Sequence, residues 1–167
     1  MKALVVEGPK TAVVKEVPYP EPGANEVVIR VKRCGICGTD FHIFKGEFLS
    51  PYPLIPGHEF SGIIEEVGSA VTQFQKGDRV AADPSLFCGH CPYCLTGRGN
   101  HCVNWGAIGD TVNGALAEFV KVPVDNVFKL ADNLSFAAGA MIEPLAWFHG
   151  HQSYLQRGGG MDSIWAI

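Results

Sequence analysis

The sequence lacks the features expected of proteins that bind nucleic acid or membranes. Its 167 residues carry a formal net charge of −4, and no basic block occurs, so nucleic acid and anionic membranes are poor candidates as partners. No apolar run approaches the length of a membrane span. Residues 1–7 reach charged side chains before an export-type apolar core develops, which predicts a protein of the cytoplasm.

A dinucleotide-binding fingerprint is also missing from the printed sequence. A nucleotide fold of the Rossmann type needs Gly-x-Gly-x-x-Gly between a strand and a helix, and no such motif occurs. The apolar fraction of 47% is nevertheless sufficient for a packed core. A chain of this length has material for one domain, or at most two.

Most of the first two thirds of the chain reads as short strands separated by turns. The segments rich in Val and Ile are residues 2–7, 12–17, 26–33, 61–67, 79–82 and 117–122. This spacing predicts a mainly β barrel or sandwich rather than a parallel α/β sheet. Residues 135–149 predict a helix with Ser135 as N-cap, and Pro144 predicts a break or kink directly after Glu143.

The strongest single motif is a cysteine cluster within residues 84–105, a segment with almost no core-forming run. It comprises Cys88, Cys91, Cys94 and Cys102. Four thiolates at this spacing can close a tetrahedral shell around Zn²⁺, and a closed shell indicates a structural metal. An iron–sulfur cluster or two disulfides would use the same residues. With four sulfurs available, His90 and His101 are not needed as ligands.

A second set of potential ligands is dispersed along the chain. Cys37, the adjacent pair His58 and Glu59, and Glu143 together offer one thiolate, one imidazole and two carboxylates. Such a set can hold Zn²⁺ with one coordination position left open, as a catalytic zinc requires. Alone, Cys34 and Cys37 also fit a redox pair or half of a four-cysteine site. Cys34 is more typical of a small buried residue than of a ligand.

Several motifs, in this order, resemble the zinc-dependent medium-chain dehydrogenases. They are Cys37-Gly38-Thr39-Asp40, Gly57-His58-Glu59 with Gly62, Gly77-Asp78-Arg79-Val80 and the four-cysteine lobe. The resemblance covers about residues 1–150. It implies a GroES-like β-barrel catalytic domain, mainly β with short helices. In the family this domain is followed by a Rossmann domain that binds NAD or NADP.

The resemblance also implies a domain organisation. We expect a catalytic domain at residues 1–150, containing the structural zinc lobe at residues 84–105. Residues 151–167 would form a truncated connection into a missing Rossmann domain, whose first strand would begin at residues 162–167. Without that domain we expect the chain alone to be inactive. A complete enzyme of this family is expected to be a homodimer or homotetramer.

Individual roles follow from the resemblance by position. Cys37 and His58 match the catalytic zinc ligands, and Glu59 matches an adjacent acid that coordinates the metal in some members. Glu143 matches the remaining ligand position, where polyol-type members carry Glu. On a regular strand His58 and Glu59 would point to opposite faces, so joint ligation requires a twist or bulge. Asp40 fits a structural or ligand-orienting role.

The implied reaction is the oxidation of an alcohol, with two Zn²⁺ per chain and NAD or NADP in the complete enzyme. Thr39 resembles the hydroxyl that hydrogen-bonds the substrate oxygen and starts a proton relay, and His42 resembles the relay's solvent end. The substrate is expected to be a polyol or another secondary alcohol. L-Threonine is the alternative, because residues 39–43 resemble threonine dehydrogenases. A zinc-binding remnant without catalysis is the alternative outside the enzymes.

Overall fold

A computed structural model describes the backbone of residues 1–156 and the side chains of residues 1–149. The elements in chain order are β1 (Lys2–Gly8), β2 (Thr11–Glu16), β3 (Glu26–Cys34), α1 (Gly38–Lys45), β4 (Phe60–Val67), β5 (Arg79–Ala82), β6 (Ser85–Leu86), α2 (Pro92–Leu95), β7 (Gly106–Ala107), β8 (Phe119–Pro123), β9 (Val127–Lys129), α3 (Phe136–Ala140) and α4 (Ile142–Gln156). Two short 3-10 turns lie at Gly99–His101 and Val124–Asn126. The strand expected at residues 162–167 lies outside the described residues.

An antiparallel sheet of five strands, in the order β8-β3-β4-β5-β9, forms the centre of the fold. The β1–β2 hairpin forms a second sheet, and isolated bridges link β1 to Leu54 and Ala117. All strand pairings between the described elements are antiparallel, which confirms a mainly β fold with short helices. Between residues 1 and 156, no helix has the length and apolar character needed to cross a bilayer.

The main core lies on one face of the five-stranded sheet. Its fully buried side chains include Ile29 on β3, Phe60 and Ile64 on β4, Val80 on β5 and Val122 on β8. β8 alternates between buried and exposed residues, as expected for a strand with one solvent face. In β3 the three residues after Glu26, residues 27–29, are all buried, so both faces of the strand are covered at that point. Each fully buried Ile or Phe contributes about 1.5–3 kcal/mol of transfer free energy.

The C-terminal helical segment differs from its prediction at one point. The predicted break after Glu143 is wrong: α3 and α4 are separated at Met141, and Pro144 is the third residue of α4. The first turn of a helix has unpaired backbone N–H groups in any case, so a proline there removes no hydrogen bond. Ser135 caps α3 as predicted, its Oγ accepting a backbone N–H at 3.1 Å. α4 continues past residue 150.

Arg79 of β5 anchors the segment that leads into α3. Its guanidinium donates to three backbone carbonyls within residues 131–134 and lies 4.7 Å from the centroid of the Phe136 ring. Ser61 of β4 donates its hydroxyl to the Phe136 carbonyl at 2.6 Å. These contacts hold α3 against the central sheet, so the position of Glu143 on the following helix is set by the barrel.

The register of β4 against β3 generates a stability prediction. A Cβ atom added at Gly62 would collide with the backbone carbonyl oxygen of Arg30 on β3. We expect Gly62→Ala to lower the free energy of unfolding by about 1–3 kcal/mol in urea titrations, because the paired strand must shift. Gly8→Ala is the matched control, since its added Cβ meets nothing within 4 Å. Equal stabilities of the two variants would contradict this register.

Two candidate metal centres

The first centre begins at the N-terminus of α1. Cys37 is the N-cap of this helix, with an extended backbone conformation. The side chain of Asp40, three residues further on, accepts the backbone N–H of Cys37 at 2.7 Å. This reciprocal turn is a common way to satisfy free N–H groups at a helix start. It leaves the Cys37 thiol half-buried at the helix end, with Thr39 Oγ1 at 3.8 Å from Cys37 Sγ.

Asp40 connects this helix to the segment that carries the predicted histidine ligand. While one carboxylate oxygen accepts the Cys37 N–H, the other accepts the N–H of Gly57 at 3.0 Å. His58 Nδ1 lies 3.9 Å from that second oxygen. Asp40 is only 6% exposed, and a carboxylate at such depth requires hydrogen-bond donors on both oxygens. This arrangement agrees with the expected orienting role of Asp40.

A sharp backbone turn at Gly57 precedes His58 and Glu59, whose side chains lie on the same side of the chain. Gly57 has φ of 96°, a conformation that favours glycine, and its carbonyl accepts the N–H of Ala115 at 2.8 Å. His58 and Glu59 precede β4, and the chain bends at Glu59. The alternation of a regular strand therefore does not apply to these two residues.

Three of the predicted ligands come together. The donor atoms of Cys37, His58 and Glu59 all lie within 4.8 Å of one another, and all three residues are half-buried. One thiolate, one imidazole and one carboxylate form a donor set that fits Zn²⁺ and leaves a coordination position for another group. Joint ligation by His58 and Glu59 was expected to need a twist or bulge, and the bend at Glu59 before β4 supplies one.

Glu143 lies outside this group of three but within its electrostatic reach. Burial raises the pKa of the Glu143 carboxyl. The charge of His58 acts in the opposite direction, and the charges of Glu59 and Asp83 raise the pKa further. The pKa of the Glu143 carboxyl, in the first turn of α4, therefore depends on the charges of both His58 and Glu59.

Cys34 belongs neither to the group of Cys37, His58 and Glu59 nor to the group of four cysteines in the lobe at residues 84–105. Burial raises the pKa of its thiol to about 12, with smaller contributions from the charges of Asp40 and Glu59. The Cys34 thiol also donates to the carbonyl of Gly35 at 3.3 Å. A protonated thiol is a poor metal ligand, so Cys34 behaves as the small half-buried residue that its position suggested.

The second centre is the cysteine lobe between β6 and β7. Pairing of these two short strands closes the base of the lobe, and the sulfur atoms of its four cysteines lie within 4.8 Å of one another. They are Cys88, Cys91, Cys94 and Cys102. Each remains a free cysteine, with no disulfide. His90 and His101 are exposed and lie outside the sulfur group.

Backbone N–H groups point at several of these sulfurs. Donation from the N–H of Cys94 lowers the pKa of Cys91 to about 6, and donation from the N–H of Cys88 lowers that of Cys102. Burial, followed by the neighbouring Cys91, raises the pKa of Cys94 to about 12. Four adjacent sulfurs cannot all carry negative charge unless a cation lies between them. A closed four-sulfur shell fits structural Zn²⁺.

Sequence reasoning did not identify Asp110, a carboxyl near the first centre. Asp110 is 4% exposed, and its Oδ1 accepts the hydroxyl of Ser50 at 2.6 Å. Burial raises the pKa of Asp110, while the Ser50 hydrogen bond and the charge of His58 oppose this change. The pair ties the loop after α1 to the loop after β7. Sixty residues separate its members, so no local motif could reveal it.

Comparison with known proteins gives a consistent result. The family described as "Alcohol dehydrogenase GroES-like domain" matches residues 23–132. The L-threonine 3-dehydrogenase of Rhizobium etli is 42% identical over 149 residues, which cover 86% of this chain and 43% of that protein. The chain thus spans less than half the length of this curated relative.

Solved structures agree with the sequence comparison. A protein described as a zinc-binding dehydrogenase, from Sinorhizobium meliloti and bound to NADP, aligns with a TM-score of 0.86 and 44% identity, over 90% of this chain and 44% of that chain. Galactitol-1-phosphate dehydrogenase from Escherichia coli aligns with a TM-score of 0.83 and 39% identity, over 91% of this chain and 45% of its own.

The two donor sets predict two bound Zn²⁺ ions per chain, as measured by elemental analysis after gel filtration. We expect Cys94→Ser to lose the lobe zinc and His58→Ala to lose the other, because each substitution removes a donor from one set only. Cys34→Ser should keep both ions. A single zinc in the unmodified chain, or loss of zinc in Cys34→Ser, would contradict the assignment.

Chelation should separate the two centres further. The first set leaves a coordination position open, whereas the lobe shell is closed, so we expect a chelator to remove the first zinc before the second. Circular dichroism should show an intact fold after the first loss, because the main core of the sheet is independent of that site. Simultaneous release of both ions with unfolding would disagree with this arrangement.

Proposed function

This chain belongs to the zinc-dependent medium-chain dehydrogenase family, and from that membership we propose that it supplies the zinc- and substrate-binding part of an NAD(P)-dependent dehydrogenase for polyols or other secondary alcohols. The convergence of Cys37, His58 and Glu59 beside Thr39 carries the proposal. The expected division at residues 1–150 and 151–167, the choice between NAD and NADP, and the expected homodimer or homotetramer stay predictions.

We propose Cys37, His58 and Glu59 as the holders of the catalytic zinc, with Glu143 as a further carboxylate that reaches it directly or through water. When bound, zinc would polarise the alcohol hydroxyl, and the nicotinamide cofactor would accept the hydride. Cys88, Cys91, Cys94 and Cys102 would hold the structural zinc. Asp40 would keep the two donor segments at a fixed separation during turnover, since it binds a backbone N–H of each.

The proton of the alcohol leaves through side chains of α1 in this proposal. Thr39 Oγ1, close to the Cys37 thiol, would accept a hydrogen bond from the substrate hydroxyl and pass the proton on. His42 lies about one turn further along the same helix and is exposed. It would receive the proton and release it to solvent, a task suited to imidazole near neutral pH.

The charged side chains that act on the site are mostly acidic. The charged side chains that shift the pKa values of Cys34, Asp110 and Glu143 are Asp40, Glu59, Asp83 and His58. Three of these four are acidic, and a Zn²⁺ held by Cys37, His58 and Glu59 would offset much of that charge, so neutral and phosphorylated alcohols both stay candidates. A polyol can donate hydroxyl groups to such carboxylates.

L-Threonine is the second candidate substrate. The relative from Rhizobium etli, an L-threonine 3-dehydrogenase, is 42% identical to this chain, and the ammonium group of threonine suits acidic surroundings. We rank polyols first because Glu143 stands at the ligand position where polyol-type members carry Glu.

Activity can be tested in a chimeric protein. Residues 1–150 of this chain would replace the matching part of the Sinorhizobium meliloti dehydrogenase, a protein solved with NADP bound. We expect NAD(P) reduction with polyols and other secondary alcohols, and a loss of about 10²–10⁴-fold in kcat for Thr39→Ala, because the first proton acceptor is removed. Zinc content should be unchanged, and Thr39→Ser should keep most of the rate.

Three outcomes would speak against the proposal. Full turnover in Thr39→Ala would contradict the proposed proton relay. Turnover without zinc at the Cys37 centre would contradict the proposed role of the metal. A chimera that binds two zinc ions and NADP but oxidises no alcohol would favour the non-catalytic alternative. Comparing sorbitol-type polyols, L-threonine and a polyol phosphate in the same chimera would rank the substrate classes directly.

A further inference from the structure

His42 has a close carboxylate neighbour that the proposed relay does not use. Glu47 Oε2 lies 2.8 Å from His42 Nδ1, and both side chains are more than half exposed. Lys45 Nζ lies farther away, at 3.9 Å from the same oxygen. The shorter distance makes the imidazole the main partner of Glu47.

The end of α1 places Glu47 back over His42. Gly46 ends the helix in the left-handed conformation, with φ of 80°, and the N–H of Glu47 donates to the His42 carbonyl at 2.9 Å. A Cβ added at Gly46 would lie 2.8 Å from Cγ of Pro9. The turn is therefore fixed by packing as well as by its hydrogen bonds. Glu47 is thus held next to His42 by a defined turn.

This contact selects one form of the neutral imidazole. A carboxylate only accepts hydrogen bonds, so the ring nitrogen facing Glu47 must carry the hydrogen. In neutral histidine the other nitrogen, Nε2, then keeps its lone pair. A carboxylate that fixes a histidine tautomer in this way is common where the second nitrogen does chemistry.

We propose that Glu47 is a positioning residue that holds His42 as its Nδ1–H tautomer and leaves Nε2 as the proton acceptor at the solvent end of the relay. The inference rests on the proposed function for the role of His42. A proton that arrives at Nε2 gives an imidazolium with two N–H groups, one of them held by the Glu47 carboxylate. Transfer of the Nε2 proton to water restores the starting tautomer, so protons balance over the cycle.

The tautomer can be measured in the full 167-residue chain, loaded with zinc and labelled with ¹⁵N-histidine. At about pH 8.5, some two units above the ordinary histidine pKa, ring ¹⁵N shifts distinguish Nδ1–H from Nε2–H. We expect mainly Nδ1–H at His42 and a rise of about threefold in the Nε2–H to Nδ1–H ratio in Glu47→Ala, in line with an exposed pair. Glu47→Gln, which keeps an acceptor oxygen, should stay closer to the unmodified chain.

His90 provides an internal control in the same spectra, because its Nδ1 lies 2.7 Å from the Cys88 carbonyl and does not involve Glu47. The inference is wrong if Glu47→Ala leaves the His42 ratio unchanged, or if His90 changes in parallel and so reports a general structural effect. Because this readout needs no turnover, it is independent of the chimera. An inactive chimera with the expected His42 shifts would contradict the dehydrogenase proposal and leave the positioning role of Glu47 supported.

Discussion

The buried carboxylate of Asp40 is the constraint on which the first metal centre depends. The two segments that carry its donors are far apart in sequence, and neither belongs to a strand of the central sheet at the donor position. Asp40 binds a backbone N–H from each segment, at Cys37 and at Gly57. Because charge-assisted bonds to backbone N–H groups hold position as well as satisfy the charge, the spacing of Cys37 and His58 follows from one side chain.

The two candidate centres use different sources of order. The donors at the first centre, around Cys37 and His58, lie on segments attached to the central sheet. The core of that sheet comprises side chains of β3, β4, β5 and β8. The cysteine lobe has only the short β6–β7 pair, the single turn of α2 and backbone N–H groups that point at sulfur. With so little apolar burial, the lobe must draw much of its folding free energy from metal binding. The core of the central sheet contains none of the donors of either centre.

Much of the fold could be predicted because its signals are local. The Val- and Ile-rich segments gave the long strands to within one or two residues, and cysteine spacing gave the lobe. The break at Met141 was missed because Pro144 was treated as a helix breaker, although the first turn tolerates it. The joint position of His58 and Glu59 depends on the left-handed Gly57 and its contact with Ala115. Contacts over this sequence distance leave no periodic trace in the chain.

Exposure along α1 gives the proposed relay a direction. Within one short helix, Asp40 is buried, Thr39 is half-buried and His42 is 57% exposed. A proton that leaves the metal centre along this helix therefore moves from a fixed, poorly hydrated environment towards water, where charge costs least. In the proposed relay the buried face stays rigid because Asp40 binds the backbone of both donor segments, whereas the outer end exchanges protons with solvent. A helix of eight residues satisfies both demands because successive side chains project about 100° apart.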